Sequence, residues 1–241
     1  MKCRKTTVAC KNCSLYDVGV ILGLESKAAT KPFALDDFLS KAYFVKKETR
    51  ICQAQQQSPY LYVVQTGTCV SYKMVNGEEQ ITSFHFAGEL FGIDALMEAK
   101  YNYNIRALED SHLCRLDLNQ LKKQLDAQNL LAVQQYLLQS LTHYSQSLQT
   151  ETALMGAQVA EQRLALFLLN MGKRFQTRGL PADSFYLPMS RADIASYLGL
   201  AVETVIRSLR KLHHLGLLEI KAKQIRFPNP SALNDFSQSA K

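Results

Sequence analysis

Two charged side chains four residues apart, Glu203 and Arg207, have the types and spacing needed to read DNA bases. A glutamate accepts a hydrogen bond from the amino group of cytosine, and an arginine donates two hydrogen bonds to guanine. On a helix this spacing also allows an ordinary surface ion pair between the two side chains. The elements that carry them decide between these interpretations.

The stretch Ser190–Leu217 predicts two short helices joined by a tight turn. Ser190, with Asp193 three residues later, is a capping-box-like start in which Asp replaces the usual Glu or Gln. Gly199 supplies the backbone freedom that ends the first helix, and the second helix begins near Val202. The apolar residues of the second helix predicted to face inward are Val205, Leu209 and Leu212.

A helix–turn–helix places the N-terminal residues of its second helix against base edges in the major groove. The residues predicted here to contact DNA are Ser190, Arg191, Glu203, Thr204, Ile206, Arg207, Arg210 and Lys211. The segment LLEIKAKQIRF that follows predicts a two-stranded wing. Its three cations, Lys221, Lys223 and Arg226, are expected to contact phosphates, which adds affinity without sequence choice.

A second set of reactive side chains is the six cysteines at positions 3, 10, 13, 52, 69 and 114. We expect a cytoplasmic protein with no membrane partner, because the apolar run at 18–24 lacks a clear cleavage site and no run approaches the ~20 residues of a membrane span. In that compartment, the C-x-x-C of Cys10 and Cys13 favours metal or redox chemistry over disulfides. Cys52 and Cys69 lie in strand patterns and are predicted to be buried structural thiols.

The length, composition and charge of the whole chain limit the possible architectures and partners. Its 241 residues allow two modest domains, and 47% hydrophobic residues suffice for their cores. A net charge of +7 suits a polyanionic partner without requiring one. An enzyme finds little support, because no Gly-rich phosphate loop or catalytic triad stands out, and His85 and His112 lie in strand-like segments where a structural role is expected.

Alternating apolar residues from about 45 to 118 predict an antiparallel roll or barrel, with Asn76-Gly77 as a hairpin turn. A short helix is predicted before it, from Phe33 to Phe44. A long helix without Pro or internal Gly runs from Asn119 to about Met155, and Gly156 marks a hinge. Its apolar seam favours self-association over packing on its own roll. The residues predicted to form the dimer contact are Leu137, Leu141, Tyr144, Leu148 and Met155.

The segment LGLAVETVIRSLRKL resembles the recognition segment of the Crp/Fnr family of bacterial transcription regulators, and GEEQITSFHFAGELFGIDAL and ALEDSHLC resemble its Fnr branch. The resemblance implies an α+β fold: a cysteine-bearing arm (1–30), a cyclic-nucleotide-binding-like β-roll (31–118), a dimerisation helix (119–155) and a winged helix–turn–helix (156–241). It implies a homodimeric, sequence-specific regulator that binds a palindromic site in double-stranded DNA and works with RNA polymerase.

Two departures from the family qualify what the resemblance implies. Fnr proteins carry Ser immediately before the base-reading Arg, where this chain has Ile206, so we expect a site related to the TTGAT half-site but altered at that position. Cyclic-nucleotide-binding members hold the ligand phosphate with an Arg-Ser pair, where this chain has Tyr101-Asn102. Arg106 follows too late and on a different strand phase, so cyclic AMP is not expected as a ligand.

The segment ACKNCSL resembles the cluster motif of Fnr-type oxygen sensors, and Cys114 falls where these proteins place their distant cysteine. The resemblance implies a [4Fe–4S] cluster on Cys10, Cys13 and Cys114. The family pattern expects a further cysteine six residues after Cys13, where this chain has Gly19, so Cys3 or Asp17 has to complete the site. The alternative is a constitutive or small-ligand-responsive regulator that has lost the cluster.

Leu148 yields a prediction about the dimer. It stands where oxygen-sensing Fnr proteins carry an aspartate whose charge makes dimerisation depend on the cluster. Paired leucines favour association, whereas a pair of like charges at a two-fold interface is costly. We expect air-exposed protein to sediment as a dimer and Leu148→Asp to shift it toward monomer. A monomeric cluster-free wild type at micromolar concentration would contradict this expectation.

Overall fold

The computed structural model of the chain describes residues 39–94, 100–117, 119, 123 and 159–238. The chain divides into two compact units, one built mainly from the strands up to Asp117 and the other mainly from residues after Ala160. The arm at 1–30, Gly156 and the predicted dimerisation helix, apart from Asn119 and Lys123, lie outside the described residues.

The first unit is a β-roll made of two four-stranded sheets. Its strands are β1 (Leu39–Val45), β2 (Arg50–Cys52), β3 (Tyr60–Thr66), β4 (Thr68–Val75), β5 (Glu78–Phe86), β6 (Leu90–Phe91), β7 (Asn104–Ala107) and β8 (Ser111–Asp117). One sheet has the order β1-β8-β3-β6 and the other β2-β7-β4-β5. The apolar core includes Tyr62, Val64, Phe91, Ile105 and Leu113. The predicted antiparallel roll is therefore confirmed.

The hairpin between β4 and β5 shows why the local signal was reliable. Asn76 has φ 53° and Gly77 has φ 86°, so both residues of the two-residue loop adopt the left-handed region. A type I′ turn requires this conformation at both positions, and Asn-Gly adopts it at low cost. The predicted turn is confirmed.

The predicted helix from Phe33 to Phe44 is wrong over its described part. Leu39–Val45 is strand β1, which pairs antiparallel with β8, and its last residues alternate between an exposed Phe44 and a buried Val45. The apolar spacing that favoured a helix was local. The pairing with β8 joins residues about seventy positions apart, and tertiary context of this kind overrides local periodicity. Residues 33–38 lie outside the described residues.

The second unit is a helical domain with a small sheet. Its elements are α1 (Ala160–Gln176), β9 (Ser184–Tyr186), α2 (Arg191–Leu198), α3 (Val202–His214), β10 (Glu219–Lys221), β11 (Gln224–Arg226) and α4 (Pro230–Gln238). α1 packs against α3 and α4, and α3 also packs against α2. Its fully buried side chains include Leu164, Leu168, Met171, Ile194 and Leu212. No helix in the described ranges is long and apolar enough to cross a membrane.

The two strands predicted in LLEIKAKQIRF are confirmed as β10 and β11, and a third strand, β9, extends their sheet. β11 pairs antiparallel with β10 and also with β9, where Ile225 lies opposite Phe185. The Phe185 ring packs against Phe175 of α1 and against Phe227, with ring centroids 5.0 and 5.5 Å away. A three-residue strand is too short to show alternation in the sequence, which explains why β9 was missed.

Gly67, between β3 and β4, yields a stability prediction with Gly77 as its matched control. Both glycines have positive φ, 91° and 86°. A Cβ on Gly67 would lie 2.9 Å from the backbone Cα of Ser111, whereas a Cβ on Gly77 would meet no described neighbouring atom within 4 Å. We expect Gly77→Ala to cost about 1–2 kcal/mol from backbone strain alone.

Gly67→Ala should cost a further ~1–3 kcal/mol, because both the side chain and the backbone Cα of Ser111 obstruct the added methyl group and the turn has to move away. Urea unfolding of the two variants, followed by a probe of the β-roll, measures the difference. Equal destabilisation by the two substitutions would show that the close approach to Ser111 has no energetic consequence.

Candidate nucleic-acid interface

The first helix of the helix–turn–helix is fixed at both ends. The Ser190 hydroxyl oxygen accepts a hydrogen bond from the Asp193 amide (3.0 Å), and the Asp193 carboxylate accepts one from the Ser190 amide (2.7 Å). At the other end Gly199 adopts φ 62° and its amide donates to the carbonyl oxygen of Ala195. The capping box and the glycine stop predicted from the sequence are both confirmed. Together they set where α2 ends and where the chain enters α3.

Helix α3 has a buried side and a charged side. Val205 and Leu212 are fully buried and Leu209 is 4% exposed, which confirms the predicted inward face. On the opposite side lie the exposed residues that we call the charged face of α3, namely Glu203, Arg207, Arg210 and Lys211. Thr204 and Ile206 are half-buried. The structure therefore presents Glu203 and Arg207 on one exposed surface, as base reading requires.

The two remaining predicted DNA contacts lie at the start of α2. Ser190 is exposed, but its hydroxyl also lies 2.7 Å from an Asp193 carboxylate oxygen and takes part in the helix cap. Arg191 is half-buried, and desolvation lowers the pKa of its guanidinium from the usual value. An arginine stays a cation under such a shift, so Arg191 keeps its positive charge.

Lys211 has an internal partner that the sequence analysis missed. Its Nζ lies 2.9 Å from Oε1 of Glu161, in the first turn of α1. The hydrogen bond from Lys211 is the largest cause that holds the pKa of Glu161 below its usual value, and the charge of Arg207 lowers it further. Fifty positions separate the two residues, and no local pattern links them.

Two of the three wing cations also have partners within the domain. Lys223 Nζ donates to the carbonyl oxygen of Pro188 (2.8 Å) and lies over the Tyr186 ring, 5.7 Å from its centroid. Arg226 forms a 3.1 Å ion pair with Glu219 across β10 and β11. Lys221 is exposed at the end of β10. The wing cations are therefore not equivalent candidates for phosphate contact.

The described cysteines differ in accessibility. Cys52 is 1% exposed and Cys69 is fully buried, which confirms that both are core thiols. Burial raises the pKa of Cys52 to about 12 and raises that of Cys69 as well, so both stay protonated. Cys114 is half-buried on β8, opposite Val63 of β3.

The other residues of the predicted cluster site, Cys3, Cys10, Cys13 and Asp17, lie outside the described residues. Within the described ranges, no group of three or more His, Cys, Asp or Glu side chains is arranged to hold a metal ion. A thiolate ligand needs a thiol that ionises and that a metal can reach. Of the described cysteines, half-buried Cys114 meets the second requirement better than Cys52 or Cys69.

The residues at the family's nucleotide-phosphate position are engaged inside the roll. The Tyr101 hydroxyl lies 2.7 Å from Ser58 Oγ and 2.9 Å from the carbonyl oxygen of Tyr60. The Asn102 amide donates to the Asp94 carboxylate. Arg106 forms a 3.1 Å ion pair with Glu48 and its side chain is 14% exposed. That cyclic AMP is not the ligand stays a prediction, with these contacts in its favour.

The two strand histidines also make contacts within the roll. His85 Nε2 lies 2.6 Å from Ser71 Oγ, and His112 Nδ1 lies 3.1 Å from Thr66 Oγ1. Their rings pack against Phe91 and Phe44, respectively. These contacts support the structural role expected of both residues.

A capped short helix, a left-handed glycine turn, an amphipathic second helix with a charged face and a three-stranded wing define a winged helix–turn–helix DNA-binding domain. Comparison with known families agrees. The Crp-like helix-turn-helix domain family matches residues 162–236, and the cyclic nucleotide-binding domain family matches residues 43–128. The chain belongs to the Crp/Fnr family of DNA-binding transcription regulators, which is not a family of enzymes.

Similarity to individual relatives extends over most of the chain. It is 32% identical over 235 residues to an "Anaerobic regulatory protein" of Aggregatibacter actinomycetemcomitans, covering 97% of this chain and 90% of the relative. It is 31% identical over 227 residues to the "Fumarate and nitrate reduction regulatory protein" of Salmonella typhi, with 94% and 89% covered. The solved structure of FixK2 from Bradyrhizobium japonicum matches with a TM-score of 0.69 and 31% identity, covering 83% of this chain and 98% of that one.

The charged face of α3 yields a prediction about base reading. We expect Arg207→Ala to weaken binding to the specific site by about 1–3 kcal/mol and to relax base choice at one position of each half-site. Arg210→Ala, one turn further along the same face, should instead weaken binding to all sequences alike, as loss of a phosphate contact does.

Binding of the wild type and both variants to a set of single-base-substituted half-sites, at one fixed salt concentration, measures the difference. The half-sites derive from TTGAT and vary the base that Ile206 would face. Equal wild-type affinity for these palindromes and for random DNA would exclude base reading by this helix.

Proposed function

We propose that this protein is a homodimeric transcription regulator that binds a palindromic DNA site and responds to oxygen or redox state through an iron–sulfur cluster. The observation that carries the redox part of the proposal is the contrast among the described cysteines. Cys52 and Cys69 are enclosed in the core, while Cys114 is half-buried at the strand position that resembles the distant ligand of Fnr-type sensors.

The relatives support the same assignment. Two of them are named for anaerobic regulation and for the reduction of fumarate and nitrate, and a third is named "Electron transport regulator A". The third, from Shewanella oneidensis, is 31% identical over 235 residues and covers 97% of this chain. These names refer to anaerobic regulation, to reduction and to electron transport, which makes oxygen or redox state the signal to test first.

The proposed ligands are Cys10, Cys13 and Cys114, with Cys3 or Asp17 as the fourth. Soft thiolates are the usual ligands of iron–sulfur centres, which favours Cys3 over the carboxylate. Such a cluster would link residues that are far apart in the sequence, and oxygen would break that link. The chain's part is to hold the Cys114 thiolate at a fixed position on β8.

The N-terminal segment offers a reason why the link would matter. Residues 1–17 contain few sizeable apolar side chains, chiefly Val8, Leu15 and Tyr16. Apolar packing alone would hold such a segment weakly against the roll. A ligand that binds only the attached form stabilises that form by mass action. Loss of the cluster would then release the segment.

On DNA, we assign base contacts to Glu203 and Arg207, apolar contact with a thymine methyl group to Ile206, and phosphate contacts to Arg210 and Lys221. Thr204, Ser190 and Arg191 flank these residues at the start of the two helices. A palindromic site requires two recognition helices related by a two-fold axis. The predicted seam from Leu137 to Met155 supplies the dimer contact in this proposal, and RNA polymerase is the expected protein partner.

Anaerobic reconstitution tests the cluster. We expect the wild type to turn brown and to bind about four irons per chain, as a [4Fe–4S] centre requires. Cys114→Ser should abolish both the visible absorbance and the bound iron. Cys52→Ser is the matched control and should leave both unchanged, because the buried Cys52 thiol is held protonated.

Oxygen exposure supplies the second readout, since the wild-type absorbance should bleach in air. A wild type that stays colourless after careful reconstitution would contradict the redox part and favour a constitutive or small-ligand-responsive regulator. DNA binding by the same sample would show that the DNA-reading part stands independently.

A further inference from the structure

The charged face of α3 includes one cation whose partner is an acid on a neighbouring helix. Lys211 lies four residues after Arg207, one helical turn further along the exposed side. Its Nζ is 2.9 Å from the Glu161 carboxylate. The Glu161 side chain is 17% exposed, whereas the Lys211 side chain is 55% exposed.

This asymmetry makes Glu161 the fixed member of the pair. Glu161 stands in the first turn of α1, which packs against α3 and whose Leu164 and Leu168 are fully buried. Lys211 carries its charge on a flexible four-carbon stem. The carboxylate is therefore held beside α3, and Lys211 reaches toward it.

Stability gives little reason for such a pair. An ion pair with a half-exposed lysine contributes only about 0–1 kcal/mol to folding. The pair has a larger effect on DNA binding, because a lysine held by Glu161 is not available to a phosphate. Each cation that contacts a phosphate releases counterions and adds affinity for any DNA sequence.

We propose that Glu161 is a specificity-determining residue that keeps Lys211 from acting as a phosphate contact. The inference rests on the proposed DNA-reading role of α3. A chain with a net charge of +7 attracts DNA of every sequence. Reducing the sequence-independent contacts while keeping those of Glu203 and Arg207 widens the ratio of specific to non-specific affinity. Lys211, predicted from the sequence as a DNA contact, is reassigned as the partner of Glu161.

The test is the salt dependence of binding to random double-stranded DNA by the full-length protein. Glu161→Gln keeps the shape of the side chain and removes its charge, so Lys211 becomes available to phosphates. The slope of log K against log salt should steepen by about 0.9 for each Lys211 that engages. The loss of affinity between 50 and 200 mM salt should then grow by about 3.5-fold per engaged lysine.

Two further variants separate this mechanism from a general charge effect. In a Lys211→Met background, Glu161→Gln should leave the slope unchanged, because there is no lysine to release. Glu48→Gln makes the same charge change at the Arg106 ion pair of the β-roll and should leave the wild-type slope unchanged. Thermal unfolding of the Glu161→Gln protein should match that of the wild type within a few degrees, because an ion pair with a half-exposed lysine adds little to folding.

An unchanged slope for Glu161→Gln would overturn the proposal, and so would a steeper slope that persists without Lys211. Random DNA is used, so neither result depends on the palindromic site or on the cluster. Failure of base reading would instead appear as equal wild-type affinity for the palindromes and for random DNA. The two failures are therefore distinguishable.

Discussion

The packing of α3 against α1 and α2 is the constraint on which the DNA-binding unit depends. Val205, Leu209 and Leu212 are almost completely buried, and burial of each such side chain is worth roughly 1.5–3 kcal/mol. Rotating α3 about its axis would bring these side chains into water. The same burial that stabilises the unit therefore holds Glu203 and Arg207 outward, so the orientation of these two proposed base contacts follows from the hydrophobic core.

Local chemistry explains how much of this unit could be predicted from the sequence. The Ser190–Asp193 cap, the left-handed Gly199 and the apolar spacing of α3 each depend on residues within one or two helical turns. The Asn76-Gly77 turn is local in the same sense. The sequence pattern wrongly predicted a helix at β1 and gave no signal for β9, because each strand depends on a partner strand elsewhere in the chain. Pairing of that kind leaves no periodic signal in a short segment.

The Lys and Arg side chains of α3 and the wing also depend on contacts that cannot be predicted from the local sequence. Sequence reasoning placed Lys211, Lys223 and Arg226 on the DNA side, and their positions in the fold are compatible with that. It could not show that Lys211 meets Glu161 or that Lys223 meets the Pro188 carbonyl, because these contacts join different elements of the domain. The sequence therefore shows which side chains are cations but not which of them have internal partners. Those partners follow from the packing of α1, α3 and the wing.

The position of each cysteine in its strand decides whether its thiol is buried in the core of the roll or accessible to a metal. Side chains alternate between the two faces of a strand, so Cys114, next to the fully buried Leu113, points to the opposite face of β8. Cys52 and Cys69 belong to the core, where desolvation disfavours the thiolate that a metal requires. A cysteine can thus serve the core or a metal, and its position in the strand alternation selects between them. Cys114 therefore has the position suited to a ligand, and in the proposed cluster the other thiolates would come from the N-terminal segment.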